Sequence, residues 1–138
     1  MTKITGGCLC KAVRYEITSA PITARACWCR LCQYLGAGSG TVNAVFKKDT
    51  VTVTGQLSDY TDIADSGTHM HRLFCPTCGT AVFSTAEERP QFMVVRVGTL
   101  DDPEVAKPAM TIWTAQAPSW ACISETLPQN EGQPPPMK

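Results

Sequence analysis

A chain of 138 residues, 43% hydrophobic and only 17% charged, is long and apolar enough to build one core of its own. Lys plus Arg and Asp plus Glu number 12 each, so the formal net charge is zero, and no nucleic-acid partner is expected of it. No apolar stretch approaches the ~20 residues of a membrane-spanning helix. Residues 1–7 also lack the apolar segment of an export signal, so the expectation is a soluble cytoplasmic protein with no membrane partner.

In chain order, residues 11–17 alternate in polarity and include β-branched and aromatic members, the pattern of a half-buried strand that Pro21 ends. Residues 27–40 hold three cysteines and then Gly36, Gly38 and Gly40, and read as an irregular loop folded around a metal. Residues 41–46 and the strict alternation of 50–54 before Gly55 are strand signals. Residues 69–74, 81–83 and 92–97 follow as strands, and residues 111–113 as a late one. No segment of ten or more residues carries a 3.6-residue period. The expected fold class is therefore mainly β, a small domain of short antiparallel strands. One domain is expected over residues 1–128. Residues 129–138, with Gly132, Pro134, Pro135 and Pro136, read as an extended or disordered tail.

Seven of the eight cysteines fall in three clusters: Cys8 and Cys10; Cys27, Cys29 and Cys32; Cys75 and Cys78. Disulfides would need an oxidising compartment, and closing one across a single intervening residue is strained. Clustered cysteines in a reducing compartment are metal ligands or redox groups. Cys75-Pro-Thr-Cys78-Gly79 is a knuckle that sets two sulfurs on one side of a tight turn. Cys8 and Cys10, two apart on an extended segment, share a face and supply the other half of a closed four-cysteine zinc site. Cys27, Cys29 and Cys32 have no fourth cysteine nearby in sequence. Three ligands leave one position of a tetrahedral zinc for substrate or water. Three thiolates also make the ion a weak Lewis acid toward water but a good acceptor for a further thiol, which coordination would ionise. The expectation is two zinc ions per chain, structural at Cys8, Cys10, Cys75 and Cys78, and catalytic at Cys27, Cys29 and Cys32.

The pattern Gly7-Cys8-Leu-Cys10, Cys27-x-Cys29-x-x-Cys32, Arg72-x-Phe74-Cys75-x-x-Cys78-Gly79, Ala117-Pro118-x-Trp120 and Leu127-Pro128 resembles the GFA/CENP-V family over nearly the whole chain. The resemblance implies a small zinc-bound all-β "β-tent". It also implies a carbon–sulfur lyase activity like that of S-(hydroxymethyl)glutathione synthase, whose partners are a small thiol, glutathione or a similar one, and a small aldehyde such as formaldehyde. Trp28 stands where family members often have histidine in the second cluster, and Thr111 where many have another. Trp28, Arg30 and Arg72 flank the clusters and are candidate substrate-binding residues, with plain packing or solvated arginines as the simpler alternative.

Other residues read more simply. Cys122 fits a small buried hydrophobe. Tyr34 and Phe74 fit core or cleft lining. His69 and His71 share a strand face and are exposed or, less simply, metal ligands; with Cys122 they are the candidates to close the three-cysteine site. Two further functions fit the same clusters: a non-catalytic zinc-binding interaction module, or a thiol redox or zinc switch. A homodimer is an expectation on general grounds alone.

Overall fold

The computed structural model describes residues 3–135. Two sheets are built almost wholly from short strands. The smaller one joins β1 (Ile4–Gly7), β2 (Arg14–Ile17) and β5 (Val51–Thr54), in the order β1-β2-β5, all antiparallel. Alternation along β2 buries Tyr15 and Ile17 while Glu16 faces solvent, as a one-sided sheet requires.

The larger sheet contains β3 (Thr23–Cys27), β4 (Thr41–Lys47), β6 (Ser58–Ile63), β7 (His69–Phe74), β8 (Ala81–Ala86), β9 (Phe92–Arg96), β10 (Met110–Ile112) and β11 (Gln129–Asn130). Their order is β11-β10-β3-β4-β9-β8-β7-β6. Its register sorts the side chains by face. Ala44 lies opposite Val95, which lies opposite Phe83, and all three are buried. With Val82, Phe46 and Met93 they meet Val13, Tyr15 and Ile17 of the small sheet in one core. The Tyr15 and Phe83 rings pack edge-on at 5.0 Å. The alternate residues, among them Asn43, Val45, Val94, Arg96 and Ser84, belong to the other face, which is left for a cleft.

The structure departs from the sequence expectations in several places, and it adds strands β1, β3 and β6 that the alternation does not single out. Residues 27–40 are not a plain loop: Cys27 ends β3, and Arg30–Leu35 form one short helix, α1. Six residues are too few to show a helical period, and tertiary packing holds such a helix rather than propensity. Not every strand is antiparallel: β10 arrives after the excursion through residues 97–109 and lies parallel to both β3 and β11. Cys122 is exposed rather than buried. Tyr34 is 78% exposed, stacked against the Arg30 guanidinium instead of lining core or cleft.

The C-terminal stretch is extended and bonded to the domain as far as it is described. Gln129–Asn130 pair with Thr111 and Ile112, the Trp113 indole donates to Gln133 Oε1 at 2.9 Å, and Pro134 is buried. The end of the expected tail, residues 136–138, lies outside the described residues.

Candidate metal centres and an arginine-lined cleft

All eight cysteines are free thiols. Two groups bring their sulfurs within 4.8 Å of one another: Cys8, Cys10, Cys75 and Cys78, and separately Cys27, Cys29 and Cys32. Cys122, His69 and His71 belong to neither group.

The four-thiol group ties the start of the chain to its middle. Its Sγ atoms are 3.6 Å apart between Cys8 and Cys10 and 3.7 Å between Cys10 and Cys75. Zn–S bonds of about 2.3 Å in a tetrahedron set sulfurs about 3.8 Å apart, so the spacing fits a zinc ion and excludes disulfides. Backbone N–H groups point at the sulfurs: Val13 N–H donates to Cys8 Sγ at 3.2 Å, and Thr77 N–H to Cys75 Sγ at 3.4 Å. Gly79, at φ +77°, makes the knuckle turn that lets its own N–H reach the Cys75 carbonyl. Thr80, which no cysteine spacing singles out, bridges the two halves. Its hydroxyl accepts from Leu9 N–H at 3.2 Å, which leaves its own hydrogen for Cys78 Sγ at 3.1 Å. That bond is the largest cause of a Cys78 thiol pulled down to about 5.

The three-thiol group is built by a strand end and a helix start. Cys27 closes β3, paired with Thr41 of β4 and Ile112 of β10. Cys29 is the N-cap of α1, where its sulfur accepts from Cys32 N–H at 3.3 Å. Cys32 sits in the first turn. Gln33 is buried and fixes this corner by donating to the carbonyls of Trp28, at 2.8 Å, and Gln116, at 3.0 Å. Trp28 itself is 6% exposed, packed against Gly40 and outside the cleft. The aromatic beside the sulfurs is Trp113, held at φ +58° and packed with Ile112 and Met110 against Cys27 and Cys32. A bulky residue in the left-handed region is uncommon, and the N–H of Trp113 is tied to the Gly132 carbonyl.

Charge is shared unequally among the three thiols. Hydrogen bonds from Cys27, Cys29 and the Thr41 hydroxyl, with Arg96 nearby, hold Cys32 far below the ordinary thiol range, whereas its bonded neighbours and burial push Cys27 up. A relay of donors runs toward the three-thiol group. Arg96 Nη1 donates to Asn43 Oδ1, and Asn43 Nδ2 to Thr41 Oγ1 at 3.0 Å, where Thr41 lies opposite Cys27 in the sheet.

The three thiols open on a cleft of about 930 Å³ over the polar face of the large sheet. Among the described residues five arginines line it, Arg25, Arg30, Arg72, Arg89 and Arg96, against two aspartates, Asp62 and Asp65. Arg30 and Arg72, picked out from sequence, are both there. Each is engaged by the protein: Arg72 Nε donates to Asp62 at 3.0 Å, and Arg30 Nη1 to Gln33 Oε1. Arg89 and Arg96 lie far from any cysteine motif in sequence, and Arg25 is two residues before Cys27. Arg25 shares a strand face with Cys27, and strand register brings Arg96 beside them.

A two-sheet β domain with a four-thiol and a three-thiol cluster is a small all-β protein able to hold two metal ions, one of them on a cleft wall. The family model for glutathione-dependent formaldehyde-activating enzymes matches residues 3–116, and the chain belongs to that family. Among solved structures it is similar to a crystal structure of a Rhodobacter sphaeroides protein, a structural-genomics target. The identity is 24% and the TM-score 0.56, over 70% of this chain and 87% of that one, a likeness of fold alone. No curated protein matches the chain. Among the described residues no helix is long and apolar enough to cross a membrane.

Proposed function

We propose that the protein is a zinc-dependent carbon–sulfur lyase of the S-(hydroxymethyl)glutathione synthase type. In the direction of synthesis a thiol adds to formaldehyde or another small aldehyde. The sulfur forms a bond to the carbonyl carbon, and the carbonyl oxygen takes up the proton the thiol gives up. The reverse reaction breaks that carbon–sulfur bond. The observation that carries this reading is the three-thiol group on the wall of a cleft, with no fourth Cys, His, Asp or Glu among the described residues joining it.

Cys8, Cys10, Cys75 and Cys78 would hold a structural zinc, and Cys27, Cys29 and Cys32 the catalytic one. Bound there, zinc would supply a site that ionises an incoming thiol. The remaining chemistry falls to the chain. Cys29 and Cys32 are fixed on one helical turn, so their sulfurs are pre-oriented. Arg30 and Arg72 line the cleft and favour an acidic thiol. Trp28 supports the cluster from behind through the Gly40 contact.

Zinc per chain, measured on wild type and on Cys32→Ser purified without added metal, tests the reading. Two zinc ions should fall to about one with the fold intact. The zinc-loaded wild type should then bind glutathione and accelerate adduct formation with formaldehyde, followed by the hydroxymethyl proton signal. Zinc-loaded protein that does neither would refute it, and steep salt-sensitive DNA binding would favour an interaction module instead.

A further inference from the structure

We infer that Arg25 and Arg96 are the specificity-determining residues of the cleft, and that together they receive a carboxylate of the thiol substrate. This rests on the proposed thiol chemistry for the identity of the substrate's other end, but the observations concern the arginines themselves.

The register places them. Arg25 of β3 lies opposite Asn43 of β4, and Asn43 lies opposite Arg96 of β9. Neighbouring strands are about 4.8 Å apart, so the two arginines straddle Asn43 with backbones about 10 Å apart. Arg25 is two residues before Cys27 on the same strand and therefore on the same face, about 7 Å from it along the chain. All four residues line the cleft. The row of arginines thus runs beside the row that carries Cys27 and Thr41.

Their bonding sets these two arginines apart from Arg30 and Arg72. The Nε atoms of Arg25 and Arg96 are both buried and lack any hydrogen-bond partner. Neither arginine has an ion pair among the described residues, while Asp62 is committed to Arg72. Arg96 is held on one side by Asn43, which aims the guanidinium without neutralising it. A buried donor left unpaired is costly, and two like charges sharing one cleft add to that cost. A carboxylate between them offsets the like-charge cost and offers two acceptor oxygens to the guanidinium forks that line the cleft. An uncharged thiol leaves the like charges unopposed. Specificity of this kind comes from the polar groups a wrong substrate would leave unsatisfied.

The test is calorimetric binding to zinc-loaded protein of three compounds: glutathione, its diethyl ester, and S-methylglutathione. Wild type should bind glutathione at least tenfold more tightly than the diester. Arg25→Gln should weaken glutathione at least tenfold, leave the diester unchanged, and so erase the preference; Arg25→Lys should restore part of it. Arg96→Gln should act in the same direction, and its zinc content and melting temperature show whether the Asn43–Thr41 relay has survived. Equal affinity of wild type for acid and diester, or an Arg25→Gln protein that binds glutathione like wild type, would overturn the assignment. S-methylglutathione separates this inference from the lyase reading. It keeps the carboxylates and cannot offer a thiol, so it should bind wild type and be weakened by Arg25→Gln even if Cys32→Ser changes neither zinc content nor adduct formation. S-methylglutathione binding that ignores Arg25 would count against the arginines alone.

Discussion

Replacing Gly40 by alanine would drive a methyl group into the strand end that carries the second cluster. A Cβ at residue 40 would lie 2.7 Å from the Cys27 carbonyl oxygen and 3.0 Å from two ring carbons of Trp28. Ordinary contact begins near 3.4 Å, so the first approach is short by about 0.7 Å. Neither neighbour can yield cheaply. Cys27 is hydrogen-bonded between β4 and β10, and Trp28 is buried. Overpacking of this kind costs about 1–3 kcal/mol. For a domain of this size that is a fall of about 4–10 °C in melting temperature. Because the displaced carbonyl belongs to Cys27, the three-cysteine site should lose zinc before the four-cysteine site does. Gly98→Ala is the control: a Cβ there meets nothing within 4 Å, and the change should stay within about 0.5 kcal/mol. Thermal melts by circular dichroism, with zinc counted on the same samples, read both effects. A Gly40→Ala protein that melts within 1 °C of wild type and keeps all its metal would refute the packing argument.

Tyr15→Phe removes the hydroxyl that donates to Thr99 Oγ1 at 2.7 Å, where Thr99 in turn donates to the Arg96 carbonyl; a loss of about 1 kcal/mol is expected by urea denaturation. Burial pushes the Tyr15 phenol up to about 12, so its share of stability is complete below the ordinary value of 10.0 and is lost as pH rises through 12. Phenolate absorbance from Tyr15 should therefore appear together with alkaline unfolding, and its appearance near pH 10 in folded protein would contradict this. Asp101 is held at about 2 by hydrogen bonds from the Arg14 guanidinium and the Thr5 hydroxyl. Its contribution is present above the ordinary carboxyl value of 3.8 and disappears as pH falls through 2; Asp101→Asn should flatten the stability curve across that window, by no more than about 1 kcal/mol because the pair is exposed. His71 meets Asp59 at 2.7 Å and Glu87 at 3.0 Å through its two ring nitrogens, which satisfies both carboxylates only as imidazolium. Its titration by NMR should lie above 6.5 and move down in Asp59→Asn, and a wild-type midpoint at or below 6.5 would count against the pairing. The stability it adds is full below the ordinary value and fades as pH rises through the raised one.

The sequence by itself determined the chemistry that is local in the chain. Cysteines separated by one or two intervening residues reach one metal wherever the segment lies, so the four-plus-three grouping was legible from spacing, and alternating runs such as 50–54 and 92–97 were legible as strands because a pleat repeats every two residues. Tertiary structure alone decided what depends on pairing between distant segments. Arg25, Asn43 and Arg96 become a row only when β3, β4 and β9 pair in one register, and a slip of one residue would send their side chains to the opposite face. The same holds for Thr80 as the bridge between two thiol pairs and for Trp113 rather than Trp28 as the aromatic beside the second cluster. The parallel β10 belongs with them, since its partner β3 is more than eighty residues earlier. Spacing is encoded in neighbouring residues, whereas register is set by the summed burial of a whole face, which no short stretch of sequence carries.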